Sequence, residues 1–140
     1  MGRYYSGDIE GKFWFGVQSS NDAIHFGGTY TYIDEEGEPL DEDCEGEAIE
    51  MHFHFGKEDV NSIKEGIEEC VEKLGNHLEG LENFFAEAQS YNDEMLAKHL
   101  GVSVVTVQEL LRYYARLQLG LKIENCVGEN GECNFEVELQ

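Results

Sequence analysis

Two histidines one residue apart, His52 and His54, and two cysteines six residues apart, Cys126 and Cys133, are the side chains best suited to metal chemistry. Imidazole nitrogen and thiolate sulfur together make a tetrahedral zinc set. The Cys-x6-Cys spacing fits no standard zinc knuckle, however. The alternation AIEMHFHF (48–55) also puts both histidines on the solvent side of a half-buried strand. No metal and no cofactor is therefore expected. Other reactive groupings are poor. Ser19-Ser20 has no nucleophile context. Gly27-Gly28 is followed by no Lys-Ser/Thr and opens no helix, so it is no phosphate loop. With 30 Asp and Glu in 140 residues, carboxylate pairs arise by chance. The expectation is a protein that is not an enzyme.

Those 30 acids face nine Lys and Arg, a net charge of −21. Such a chain is not a general coat for nucleic acid. Residues 1–56 carry 13 acids and two bases, and residues 57–92 carry nine and three. Residues 93–122 are nearly neutral, with three acids and four bases. Residues 123–140 carry five acids and no base. The densest acidic run, Asp34 to Glu47, has nine acids with Gly37, Pro39 and Gly46, the mark of an exposed loop. Apolar content of 41% and a single proline argue for a folded core despite the charge.

The elements that position these groups change period along the chain. Residues 1–56 read as an antiparallel β region: strands around Gly7 and Gly11, the aromatic run Phe13, Trp14 and Phe15, a strand after Gly27-Gly28, and 48–55. From Asp59 to Gln89, Val60, Ile63, Ile67, Val71, Leu74, Leu78, Leu81, Phe85 and Ala88 recur at threes and fours. That spacing predicts one long amphipathic helix, bent at Gly75-Asn76 if anywhere. Cys70 falls on its apolar stripe as a small core residue. Helices at 93–100 and 104–118 follow. The tail LKIENCV, GENG, ECNFEVELQ predicts a β-hairpin turning at Asn130-Gly131. The fold class is thus α+β, a β region over 1–56 and a helical region with terminal hairpin over 57–140, fused into one domain if the hairpin joins the sheet.

The stretch DEMLAKHLGVSVVTVQELLR (93–112) resembles the helix-turn-helix of transcription regulators. Ala97 is small where two helices cross, Gly101 suits a left-handed turn, and Ser103 can cap the second helix. Leu96, Leu100, Val102, Val107 and Leu110 occupy apolar positions. With the preceding helix and the terminal hairpin, the order resembles a winged helix-turn-helix domain. That resemblance implies base reading by Val104, Val105, Gln108 and Glu109, with Arg112 and Arg116 near phosphates. The charge opposes it: only Lys98, Arg112, Arg116 and Lys122 are basic, and the wing would present Glu124, Glu129, Glu132, Glu136 and Glu138. The opening YYSGDIEGKFWFGVQSSNDA is similar to uncharacterised proteins of phages and large DNA viruses.

Three readings of function follow. The first is a non-enzymatic acidic interaction protein, of viral type, that binds and occludes the basic, nucleic-acid-binding surface of a host or viral partner. Its contact residues are Asp41, Glu42, Asp43 and Glu45 in the loop and Glu68 and Glu72 on the long helix. At roughly one acid per 5–6 Å, against one charge per ~1.7 Å in duplex DNA, that helix alone cannot copy phosphate spacing, but occlusion does not require a copy. The second reading is a winged-helix DNA-binding regulator, and the third an accessory virion component. No apolar run reaches the ~20 residues of a membrane span, and the opening lacks an apolar signal core. A reduced, cytoplasmic protein in an infected cell, with no membrane partner, is expected.

Overall fold

The computed structural model describes residues 4–12, 22–40, 48–87 and 92–139. Six described strands form one antiparallel sheet: β1 (Tyr4–Gly7), β2 (Gly11–Lys12), β3 (Thr29–Ile33), β4 (Pro39–Leu40), β5 (Glu50–Gly56) and β6 (Glu132–Glu138). Their order is β2-β1-β6-β5-β3-β4. The last strand therefore lies at the centre, pairing β1 on one side and β5 on the other. Four helices complete the α+β fold: α1 (Val60–Leu74), α2 (His77–Glu87), α3 (Asp93–Leu100) and α4 (Val104–Asn130).

Period-two alternation fixes which sheet face is buried. Met51, Phe53 and Phe55 of β5 and Cys133, Phe135 and Val137 of β6 are buried. Phe53, Phe55 and Phe135 stack with centroids 5.3–6.4 Å apart. The second half of α4 covers this face through Leu119, Ile123, Cys126 and Val127. Its first half joins a separate core with Cys70 and Leu74 of α1, Leu81 of α2 and Leu96 of α3. At 27 residues, about 40 Å long, α4 is the spine shared by both cores.

Three expectations need correction. The long helix over 59–89 is two helices, because Gly75 takes φ +51°, a conformation that stops a regular helix. The buried stripe of α1 runs through Ile63, Gly66, Cys70 and Leu74, leaving Val71 exposed. Cys70 is the core residue expected. The terminal hairpin is absent: residues 119–130 continue α4, and β6 alone is a strand. Asn130-Gly131 is a turn signal of another kind, since Gly131 closes the helix with its N–H donating to Val127 O at 2.8 Å. The start of the acidic run is also more ordered than a loop. Asp34 Oδ1 accepts from the backbone N–H groups of Glu36 and Glu38, both at 2.9 Å, and the chain returns as β4 beside β3. Phe13, Trp14 and Phe15 lie outside the described residues.

Candidate functional site

In residues 93–112, α3 and the start of α4 are joined by a short turn whose local contacts follow from its residues. Asn92 caps α3, its Oδ1 accepting from Met95 N at 2.8 Å. Gly101 ends α3 at φ +71°, and Val102 N donates to Ala97 O at 3.0 Å. Ser103 then caps α4, its Oγ accepting from Thr106 N at 3.3 Å. Leu96, Ala97, Val107 and Leu110 are buried, while Leu100 and Val102 are half-buried. Gly101 has no neighbouring atom that a methyl would strike, so glycine is required there by backbone conformation alone.

The residues assigned to base reading sit on the first turns of α4. Val105 is 77% exposed, and Val104, Gln108, Glu109 and Arg112 are also on the surface. Gln108 Nε2 donates to Asp93 Oδ2 at 3.1 Å. Arg116 is not where a phosphate contact needs it. Its side chain is 13% exposed, and its guanidinium pairs with Asp22 Oδ1 at 3.1 Å, the Asp22 side chain being 2% exposed. Arg116 also lies over the Tyr113 ring at 5.5 Å. Asp22 belongs to the 3-10 turn Asp22–Phe26, so this pair ties that turn to α4. The other carboxylate oxygen, Oδ2, is buried and has no hydrogen-bond partner among the described residues. Lys122 is engaged as well: its Nζ donates to Tyr5 Oη at 2.8 Å and to Glu10 O at 3.2 Å. Of the four bases near the motif, Lys98 and Arg112 remain exposed without such bonds to a described residue. The wing has no counterpart, since Glu124 and Glu129 lie on α4 and Glu132, Glu136 and Glu138 on β6. No protein-family model, curated protein or solved structure gives a significant match to this chain. Its function therefore has to be read from its own surface.

That surface is dominated by carboxylates. Glu65, Glu68, Glu69 and Glu72 of α1 are all exposed, as the helical period placed Glu68 and Glu72. Asp41, Glu42, Asp43 and Glu45 lie outside the described residues. Between described residues, the one ion pair that involves a Lys or Arg is the buried Arg116–Asp22 pair. The exposed acids of α1 thus have no basic partner among those residues. Near the start of α4, Asp93, Glu94 and Val104 border an open hollow, with Met95 and Val105 exposed on the same two helices.

The four-residue zinc set is not assembled. Cys133 points into the core from β6 and Cys126 approaches it from α4, whereas His52 and His54 lie on the opposite face of β5. Burial, followed by a hydrogen bond with Cys126, pushes the Cys133 thiol well above its ordinary range, which disfavours the thiolate a metal needs. The histidines do face solvent, as alternation required. Their partners come from strand register: His54 Nδ1 is 2.6 Å from Asn134 Oδ1, and His52 Nε2 is 3.2 Å from Glu50 Oε1 and 3.6 Å from Glu136 Oε1. Strand alternation already puts Glu50 on the face of His52 and His54, although nothing in the sequence marks it as a partner of His52. Glu136 could only be found once β6 was placed beside β5.

Proposed function

We propose that this protein is a non-enzymatic interaction protein that binds a basic surface of a partner through its exposed carboxylates. The observation that carries this reading is the absence of Lys or Arg partners, among the described residues, for the acids of α1. Like charges one turn apart, Glu65 with Glu69 and Glu68 with Glu72, each cost an isolated helix about 0.2–0.5 kcal/mol. A basic partner offsets that repulsion. Exposed Met95, Val104 and Val105 beside Asp93 and Glu94 suit the same class of partner, because Lys and Arg side chains join an apolar stem to a charged head.

The exposed first turn of α4, with Val105 most open to solvent, favours DNA reading as the second candidate. Against it stand the commitment of Arg116 to Asp22 and the absence of a wing. Affinity capture from host extract, run with and without nuclease, separates the two. An acidic binder retains a protein after nuclease treatment and releases it when a random-sequence DNA duplex is added as a competing polyanion. Retention that disappears with nuclease, together with direct binding of the purified chain to duplex DNA, contradicts the proposal.

A further inference from the structure

The solvent face of the sheet carries a second grouping, chemically distinct from the acidic helix. Glu50 and His52 are two apart on β5 and therefore project from the same face. Glu136 of β6 lies directly opposite His52 in the register, at the short cross-strand spacing of an antiparallel pair. One ligand atom from each of the three lies within 4.8 Å of the others. In a site where each ligand atom is about 2.0–2.2 Å from a metal, neighbouring ligand atoms are about 3.0–3.6 Å apart. The two histidine–carboxylate distances, 3.2 and 3.6 Å, already fall in that range. The two carboxylate oxygens lie within 4.8 Å of each other, and a cation between them would offset their mutual repulsion.

The scaffold suits such a site. β5 is paired on both sides, by β3 and β6, and the buried Met51, Phe53 and Phe55 fix its register from below. The ligands therefore stand on the most constrained part of the sheet, yet remain reachable: the His52 and Glu136 side chains are 40% and 56% exposed. His52 and Glu136 also line a hollow of about 280 Å³ with Thr29, Thr31, His54 and Asn134. It has room for the waters that complete a coordination shell. We infer that Glu50, His52 and Glu136 form a binding site for a divalent first-row transition-metal ion, with open positions facing this hollow. One imidazole and two carboxylates select ions such as Zn²⁺ or Co²⁺ over Mg²⁺ and Ca²⁺, which favour all-oxygen shells.

The test titrates the full-length chain with Co²⁺ and with Zn²⁺ at neutral pH, following the visible absorption of cobalt and the heat of zinc binding. One saturable equivalent is expected, without the intense near-ultraviolet charge-transfer band that a cobalt–thiolate bond produces. His52→Ala and Glu136→Gln change exposed side chains, and circular dichroism checks that both variants stay folded. Each should weaken binding by more than about a hundredfold, beyond the range seen when only outer partners of a metal ligand are removed. Glu68→Gln with Glu72→Gln, on α1, should leave it unchanged. No saturable binding, binding that survives in His52→Ala and Glu136→Gln, or a thiolate band would each overturn the assignment.

Discussion

Phe26 shows how a single side chain accounts for choices that look unfavourable in the sequence. It is fully buried between Gly66 of α1 and Gly120 of α4. A methyl added at Gly66 would come 2.6 Å from Phe26 Cδ1, and one at Gly120 would come 2.5 Å from Phe26 Cε1. Glycine within a helix costs about 1 kcal/mol relative to alanine, but here alanine would displace the ring. Gly66→Ala and Gly120→Ala should therefore each destabilise the protein, by about 1–3 kcal/mol of overpacking, in urea unfolding. A gain in stability from either would show that Phe26 is not wedged there. At Gly101 the constraint is conformational, so Gly101→Val should cost about 1–2 kcal/mol, and an unchanged thermal midpoint would contradict the left-handed turn. Burial pushes the Cys70 thiol up to about 11, against a partial pull from the Arg116 charge. The folded state thus keeps a proton that the unfolded chain releases near pH 9. Stability is unaffected below that pH and falls towards pH 11, by about 1.4 kcal/mol per pH unit. Urea unfolding at pH 8, 9 and 10 should show this slope in the wild type and a shallower one in Cys70→Ala. Equal slopes would assign the loss elsewhere.

Elements were legible where one period was unambiguous. The alternation of β5, the turn at Gly101 and the Ser103 cap are local, and the chain folds there as its residues dictate. The end of α4 was not, because LKIENCV supports two periods: Leu121, Ile123 and Val127 fit alternation, while Leu119, Ile123, Cys126 and Val127 fit a helix. Gly120 and Gly128 also lower helix propensity, and the reason for Gly120 is Phe26, ninety-four residues away. Packing against the sheet decides the outcome. The candidate sites divide in the same way. Exposure of Glu68 and Glu72 followed from helical period alone. The Asp22–Arg116 pair and the Glu50–His52–Glu136 grouping depend on contacts between distant segments, which no local pattern carries. Removing one partner of a buried ion pair costs roughly 3–5 kcal/mol, so Arg116→Ala would destabilise the fold as well as remove a base, and any loss of DNA contact would be confounded with it. Arg112, exposed on α4, is the arginine whose replacement tests DNA contact.

At the scale of the whole molecule, charge and fold are kept apart. The apolar faces of the sheet and helices close two cores along α4, and among the described residues every carboxylate but that of Asp22 stays outside them. Among the described residues, no helix is long and apolar enough to cross a membrane. A surface of this kind attracts basic partners mainly through association rate and salt dependence. The decisive measurement is the affinity of the nuclease-resistant partner for three forms of the chain, across a range of salt. These are the wild type, Glu68→Lys with Glu72→Lys, and Arg112→Ala. Exposed changes alter stability by less than about 0.5 kcal/mol, so differences among the three report on the surface. Wild-type affinity should fall as salt rises. The double reversal should bind more weakly and with a flatter salt dependence, and Arg112→Ala should match the wild type. Loss of binding in Arg112→Ala, with the double reversal unaffected, would contradict the acidic surface as the site of function.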